Sequence, residues 1–272
     1  MLTAYRTDAG RVRLINEDSA AVRNQWNGFT LAIVADGMGG HQAGEVASQM
    51  AIELVESELK SVDLGMSLAE RTEAVRSAIA AANERVFEFA STKSKYQGMG
   101  TTVVAALATP NDVIIGHIGD SRAYLVTSGT IRQLTEDHSL VNELVKSGQI
   151  TPEEAVVHPL RNVVTRALGT ERQVEIDMFH CVWQRGDLLL LCSDGLSGLV
   201  GEEEILDVLT RKERPDWKVG RLVDLALEEG GGDNITAVLL ENSDEEGTHS
   251  ETPNSARAQG RNIAETERGD EA

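Results

Sequence analysis

The stretch Phe29-Thr30-Leu31-Ala32-Ile33-Val34-Ala35-Asp36-Gly37-Met38-Gly39-Gly40-His41 decides how the rest of this 272-residue chain is read. From Phe29 to Ala35 only Thr30 interrupts the apolar side chains, so both faces of such a strand need cover. The run breaks at Asp36-Gly37, where glycines let the backbone turn sharply and approach an ion closely. The pattern recurs in Val113-Ile114-Ile115-Gly116-His117-Ile118-Gly119-Asp120-Ser121-Arg122, in Leu188-Leu189-Leu190-Leu191-Cys192-Ser193-Asp194-Gly195 and in Gly230-Gly231-Gly232-Asp233-Asn234-Ile235-Thr236. Aspartates at the ends of buried strands converge at the rim of a core. Carboxylates held that close repel one another unless a divalent cation lies between them. Oxygen-only ligands suit Mg²⁺ or Mn²⁺ rather than zinc. A calcium loop does not fit, since the alternating Asp-x-Asp-x-Asp-Gly series is missing, and a P-loop does not fit, since no Lys-Ser/Thr follows the glycines. Taken singly, Asp36, Asp194 and Asp233 also suit structural roles in turns; recurrence gives them weight.

Apolar residues make up 41% of the chain, enough for one large domain or two small ones. A formal net charge of −19 argues against nucleic-acid binding, which needs a basic footprint. Residues 241–272 hold nine acidic and three basic residues, a net −6, which leaves −13 on the body. With Ile263 their one large aliphatic side chain, they are expected to form a disordered acidic tail behind a domain spanning 1–240. Cys181 and Cys192 lie in or beside apolar runs without zinc spacing and read as reduced thiols. No segment approaches the ~18 uninterrupted apolar residues of a membrane span, and residues 1–8 lack the basic-then-apolar layout of a signal peptide. A cytoplasmic, monomeric protein with no membrane contact is expected.

Apolar runs predict strands at 20–22, 29–35, 102–108, 112–118, 122–127, 175–182, 187–192 and 235–241. Helical spacing of Val46, Met50 and Leu54, and of Ala74, Ala78, Ile79 and Val86, predicts helices at 44–59 and 67–91. Further helices are expected at 139–147, after the Thr151-Pro152-Glu153-Glu154 cap, and at 202–210 and 217–229. Short turns at 109–111 and 128–129 imply antiparallel neighbours, and helices arriving in pairs between groups of strands favour an α+β layered sandwich over a doubly wound parallel sheet.

Upstream of the first acidic element, Arg13-Leu14-Ile15-Asn16-Glu17-Asp18 sets a guanidinium near two carboxylates. The planar fork of arginine suits a phosphate; an ordinary ion pair of Arg13 with Glu17 or Asp18 is the plainer alternative.

Arg13…Asn16-Glu17-Asp18, Asp36-Gly37-Met38-Gly39-Gly40-His41, Gly100-Thr101-Thr102, Gly119-Asp120-Ser121-Arg122, Ser193-Asp194-Gly195 and Asp233-Asn234-Ile235-Thr236 occur in that order. Together they resemble the metal-dependent serine/threonine protein phosphatases of the protein phosphatase 2C type in their compact bacterial form, over about residues 3–240. The resemblance implies a four-layer α-β-β-α sandwich of two antiparallel sheets flanked by helix pairs. It implies two Mn²⁺ or Mg²⁺ ions bridged by Asp36, with the Gly37 carbonyl on one and Asp194 and Asp233 on the other. Asp18 and Glu17 would orient waters behind them, and Asp120 with Asp194 would match the weaker third metal position of bacterial members. It also implies that a water activated between the metals attacks phosphorus while Arg13 holds the phosphate oxygens.

His41 is the candidate proton donor to the leaving oxygen, although relatives with an Asp-Gly-His motif carry their histidine directly after the glycine. His138 and His158 read as structural or surface residues. Residues 139–168 correspond to the family's mobile flap, whose Arg161 and Arg166 are candidates for recruiting a phosphopeptide. The expected partners are phosphorylated proteins, products of a cognate Ser/Thr kinase. Alternatives are a phosphatase of small phosphoesters, a catalytically silent phosphoprotein-binding module on the same fold, and a scaffold docked to a kinase through its tail.

Overall fold

The structure is a computed structural model that describes residues 1–39 and 43–243. His41 and the tail from 244 onward lie outside the described residues.

Strand β3 (Phe29–Met38) shows why so apolar a run is needed. It lies between β2 (Asp18–Trp26) and β5 (Val103–Ala108), antiparallel to both. Leu31, Ile33 and Ala35 pack against helices α1 (Ala43–Glu58) and α2 (Leu68–Thr92), whereas Ala32 and Val34 face a second sheet. The period of two that sends alternate side chains to opposite faces therefore ends in apolar surroundings on both sides. This sheet continues through β6 (Asp112–Ile118) to β9 (Asp177–Val182), and the short β4 (Gly100–Thr101) pairs with the end of β3.

The second sheet runs in the order β1 (Leu2–Asp8), β11 (Ile235–Glu241), β10 (Leu188–Cys192), β7 (Arg122–Thr127), β8 (Thr130–Gln133), again with antiparallel neighbours. Leu188, Leu190 and Cys192 lie under α6 (Glu202–Thr210) and α7 (Pro215–Glu228), while Leu189 and Leu191 fill the space between the sheets. Three apolar layers thus separate helices, sheet, sheet and helices: the expected α+β sandwich. The β7–β8 hairpin turns through Ser128 and Gly129, both at positive φ (51° and 76°), the backbone of a type I′ turn.

The structure differs from the sequence expectation at several element ends. β3 runs three residues past Ala35 because Gly37 and Met38 pair with Thr101 and Gly100. Residues 2–8 form an unanticipated strand; at the sheet's edge only Ala4 is buried, so its pattern carries little apolar signal. Helix α5 (Asp194–Ser197) is a single turn, too short for periodicity to reveal. The folded part reaches past residue 240: Glu241 closes β11, and buried Asn242 bonds Asp187 O and Pro110 O at 3.0 Å each.

Candidate active site

Antiparallel pairing sets the start of one strand beside the end of its neighbour, so acidic residues from both kinds of terminus gather at one edge. Asp18 opens β2 directly opposite Asp36 of β3. Asp120 follows β6, Asp194 follows β10 and opens α5, and Asp233 precedes β11. These are the predicted carboxylates, and the structure brings them together.

The backbone under Asp36 is clamped. Its N–H donates to Thr102 Oγ1 (2.9 Å), and its carbonyl accepts from Thr102 N (2.9 Å) and Thr101 Oγ1 (2.8 Å). Thr102 Oγ1 is shared in turn with Ser121 Oγ at 2.7 Å, which ties this clamp to the turn carrying Asp120. At Gly37 and Gly44, the end of β3 and the start of α1 touch backbone to backbone. A Cβ on Gly44 would sit 2.7 Å from the Gly37 carbonyl oxygen, and one on Gly37 would strike the carbonyls of Gly44 and Glu17.

Glu17 braces this corner. Its Oε1 accepts from Gly44 N (3.2 Å), its carbonyl from Gly37 N (3.2 Å) and Ser48 Oγ (2.6 Å), and its own N–H donates to Asn234 Oδ1 (2.8 Å). Asn234 also donates to Ala9 O (3.0 Å) and Ile15 O (2.9 Å), which fixes the loop that carries Arg13. Sequence reasoning quoted Thr102 and Asn234 as motif members without a role; their partners are 66 and 217 residues away, beyond any local signal.

Arg13 Nη2 donates to Asp233 Oδ2 at 2.8 Å, with half of its side chain exposed. The plainer alternative of a pair with Glu17 or Asp18 is therefore replaced by one with Asp233. Asp18 is buried; its Oδ2 accepts from Ser193 Oγ (2.7 Å), and Ser193 Oγ accepts from Thr236 N (2.9 Å), joining the two sheets. Its Oδ1 is buried with no hydrogen-bond partner among the described residues. Arg122, beside Asp120, is engaged by Asp137 through Nε (2.9 Å) and Nη2 (2.7 Å) and by Tyr124 Oη (3.0 Å).

Charge crowding follows from this geometry. Burial, with the neighbouring charges of Asp194 and Asp233 adding to it, lifts the Asp18 carboxyl to about 7. Burial and then the charge of Asp194 lift Asp120 to about 8. Asp36 is held well above the ordinary carboxylate value by burial, then by Asp18, Asp194, Asp120 and Asp233, and Asp194 is raised by burial and Asp233. No three acidic, His or Cys side chains among the described residues are already closed to coordination distance. The carboxylates ring the site rather than form a finished cage. An orphaned buried oxygen within an all-oxygen donor set fits a hard divalent cation.

His138 is buried, accepts from Gly119 N through Nδ1 (3.0 Å) and lies 3.3 Å from Asp177 through Nε2, a structural role as read. His158 Nδ1 accepts from Leu160 N (3.1 Å). Arg166 donates through Nη1 to Asp177 Oδ1 at 2.9 Å. Arg161 lines a cleft of about 560 Å³ together with Arg13, Asp120, Asp194 and Asp233.

Comparison with known proteins places this arrangement. A family model described as protein phosphatase 2C matches residues 8–225. The chain is 44% identical over 241 residues to the serine/threonine phosphatase stp of Listeria welshimeri, covering 89% of this chain and 96% of that one. It is similar to the serine/threonine phosphatase Stp1 from Staphylococcus aureus (TM-score 0.83, 38% identity, 89% of this chain and 95% of that one). The catalytic domain of the serine threonine protein phosphatase PstP, in complex with two manganese ions, superposes with a TM-score of 0.76 at 39% identity, over 87% of this chain and 96% of that one. By family match, by sequence and by fold, the chain belongs to the protein phosphatase 2C family.

Proposed function

We propose that this protein hydrolyses phosphoserine and phosphothreonine esters in proteins, with hard divalent cations held by the carboxylates at the sheet edge. The observation that carries the reading is the buried, unpartnered Oδ1 of Asp18 within a ring of further carboxylates. Such a set would repel a phosphate dianion, and the guanidinium of Arg13 alone does not reverse its charge.

Asp36, the Gly37 carbonyl, Asp194 and Asp233 would hold two Mn²⁺ or Mg²⁺ ions, and Asp120 with Asp194 a third. Two such ions acidify water and neutralise charge that develops on the phosphoryl oxygens. The remaining work falls to the chain. Thr101 and Thr102 hold the Asp36 backbone still, and Asp18 and Glu17 stand behind the ligands to orient water. Arg13 exchanges Asp233 for the phosphate oxygens when substrate enters. His41 supplies the proton to the departing serine or threonine oxygen.

Residues 1–242 are read as the catalytic unit, with the residues after them an acidic extension. The substrates are read as products of a Ser/Thr kinase, met by a monomer in the cytoplasm without nucleic acid or membrane; the unpaired thiols of Cys181 and Cys192 support that compartment. Phosphate release from a phosphothreonine peptide and from a phosphotyrosine peptide, each with Mn²⁺ or Mg²⁺, tests the reading. Turnover of the phosphothreonine peptide is expected. Binding of the peptide without turnover would put the silent binding module in its place.

A further inference from the structure

The cleft at the sheet edge extends beyond the carboxylates. At about 560 Å³ it matches sites that enclose a sizeable ligand and exceeds what a phosphoryl group fills. Arg13 and the carboxylates line one end. The same lining holds an apolar wall built from Val141 and Val145 of α3 (Leu140–Lys146), Pro152, Ala155 and Val156 of α4 (Pro152–Val156), and Leu199, with Asn142, Arg161 and Asn162 among its polar neighbours. Val156 is 72% exposed, an apolar side chain offered to solvent inside the cleft.

The wall is braced by local bonds. Ser139 caps α3 through Asn142 N, Thr151 and Glu154 form a capping box on α4, and Ser139 bridges to Val164 at the base of the segment. Of the guanidiniums about the cleft, Arg122 is engaged by Asp137 and Arg166 by Asp177, while Arg161, also in the lining, is exposed. A net charge of −13 on the body disfavours an acidic partner further.

We propose that this wall receives an aliphatic or aromatic side chain of the substrate, close in sequence to the phosphorylated residue. The protein thereby favours phosphorylation sites flanked by a large apolar residue over those flanked by a small one. The inference rests on the phosphatase reading above and names its substrate class. With the phosphoryl group anchored at the carboxylate end, a peptide continuing along the cleft passes the wall, and one filled apolar subsite gives roughly tenfold in kcat/KM.

The test compares phosphothreonine peptides that differ only in one flanking residue (Leu, Ala, Glu or Lys, placed on either side in turn), with the wild type and Val156→Asp. The Leu peptide is expected to exceed the Ala peptide by roughly tenfold in kcat/KM at one flanking position. In Val156→Asp the Leu advantage should vanish and the Lys peptide should become the best. Equal hydrolysis of Leu and Ala peptides by the wild type would overturn the inference, as would a Leu preference that survives in both Val156→Asp and Val145→Asn. p-Nitrophenyl phosphate, which has no flanking residues, separates the two levels. Its hydrolysis by the wild type without any peptide preference removes the subsite alone, whereas failure of every substrate with Mn²⁺ removes the phosphatase reading and the subsite with it.

Discussion

Asp36 is fixed by three hydrogen bonds, one donated by its N–H to Thr102 and two accepted by its carbonyl from Thr101 and Thr102, and faces Asp18 across the strand pair. Arg13 is the counterpart at the mouth of the site, half exposed and bonded to Asp233. Its guanidinium is read as binding substrate in the ground state, so Arg13→Ala should raise KM for a phosphate ester roughly tenfold with little change in kcat. Steady-state kinetics on p-nitrophenyl phosphate would check this, and an unchanged KM would count against the role. For His41, leaving-group chemistry separates the possibilities. A threonine alkoxide needs a proton, whereas p-nitrophenolate departs without one. His41→Ala should therefore slow a phosphothreonine peptide about 10²-fold or more and p-nitrophenyl phosphate far less; equal losses on both would point to positioning instead. At this scale the five aspartates and Arg13 were legible from their motifs. The partner of Arg13 and the work of Thr102, Ser193 and Asn234 were not, because their bonds join residues far apart in the chain.

The site exists because α1 comes to rest on the last residues of β3, and that approach is possible only without side chains at the contact. In Gly44→Ala the new Cβ would lie 2.5 Å from Glu17 Oε1 and 2.7 Å from the Gly37 carbonyl. The helix would have to move or the strand end to bend, at a cost of about 1–3 kcal/mol. Urea unfolding should show that loss, together with a fall in kcat, since Gly37 and Glu17 shift with the helix; a variant of wild-type stability and activity would contradict the contact. Among the elements, the long helices and the strands buried on both faces were readable, because burial on both faces demands unbroken apolar runs. Edge strand β1 and the single turn α5 were not. One has a side open to solvent, and the other is shorter than the period that would betray it. The extension of β3 to Met38 was hidden for another reason, since its pairing partner β4 lies across the whole helical pair.

For the molecule as a whole, stacking two sheets between helix pairs gathers strand ends at one edge and with them a charge cluster that opposes the fold. Without cations, Asp18 and Asp120 keep protons up to about 7 and about 8, whereas the unfolded chain releases them near 3.8. A folded-state value raised in this way contributes stability that is complete below the unfolded value and is lost as pH rises through the folded ones. Metal-free protein should therefore lose Tm between about pH 5 and pH 8, and the increase in Tm on adding Mn²⁺ should grow across the same window. Scanning calorimetry with Mn²⁺ or EDTA at a series of pH values would show it; a Mn²⁺ effect that shrinks with rising pH would contradict the charge account. The layered architecture was legible from the paired helices and short turns, while the closure of both sheets on one acidic edge depended on strand order, which no run of residues spells out.

The carboxylates at this edge, with Asp36 at their centre, are proposed to make phosphoester hydrolysis depend on a divalent cation. Phosphate release from a phosphothreonine peptide, measured against Mn²⁺ concentration and in EDTA for wild type and Asp36→Asn side by side, tests it most directly. Saturable activation of the wild type is expected, with none in EDTA, and at least about a 10³-fold loss in a folded Asp36→Asn protein, equivalent to ~4 kcal/mol of transition-state stabilisation. Hydrolysis that persists in EDTA, or an Asp36→Asn variant that turns over at the wild-type rate, would contradict it.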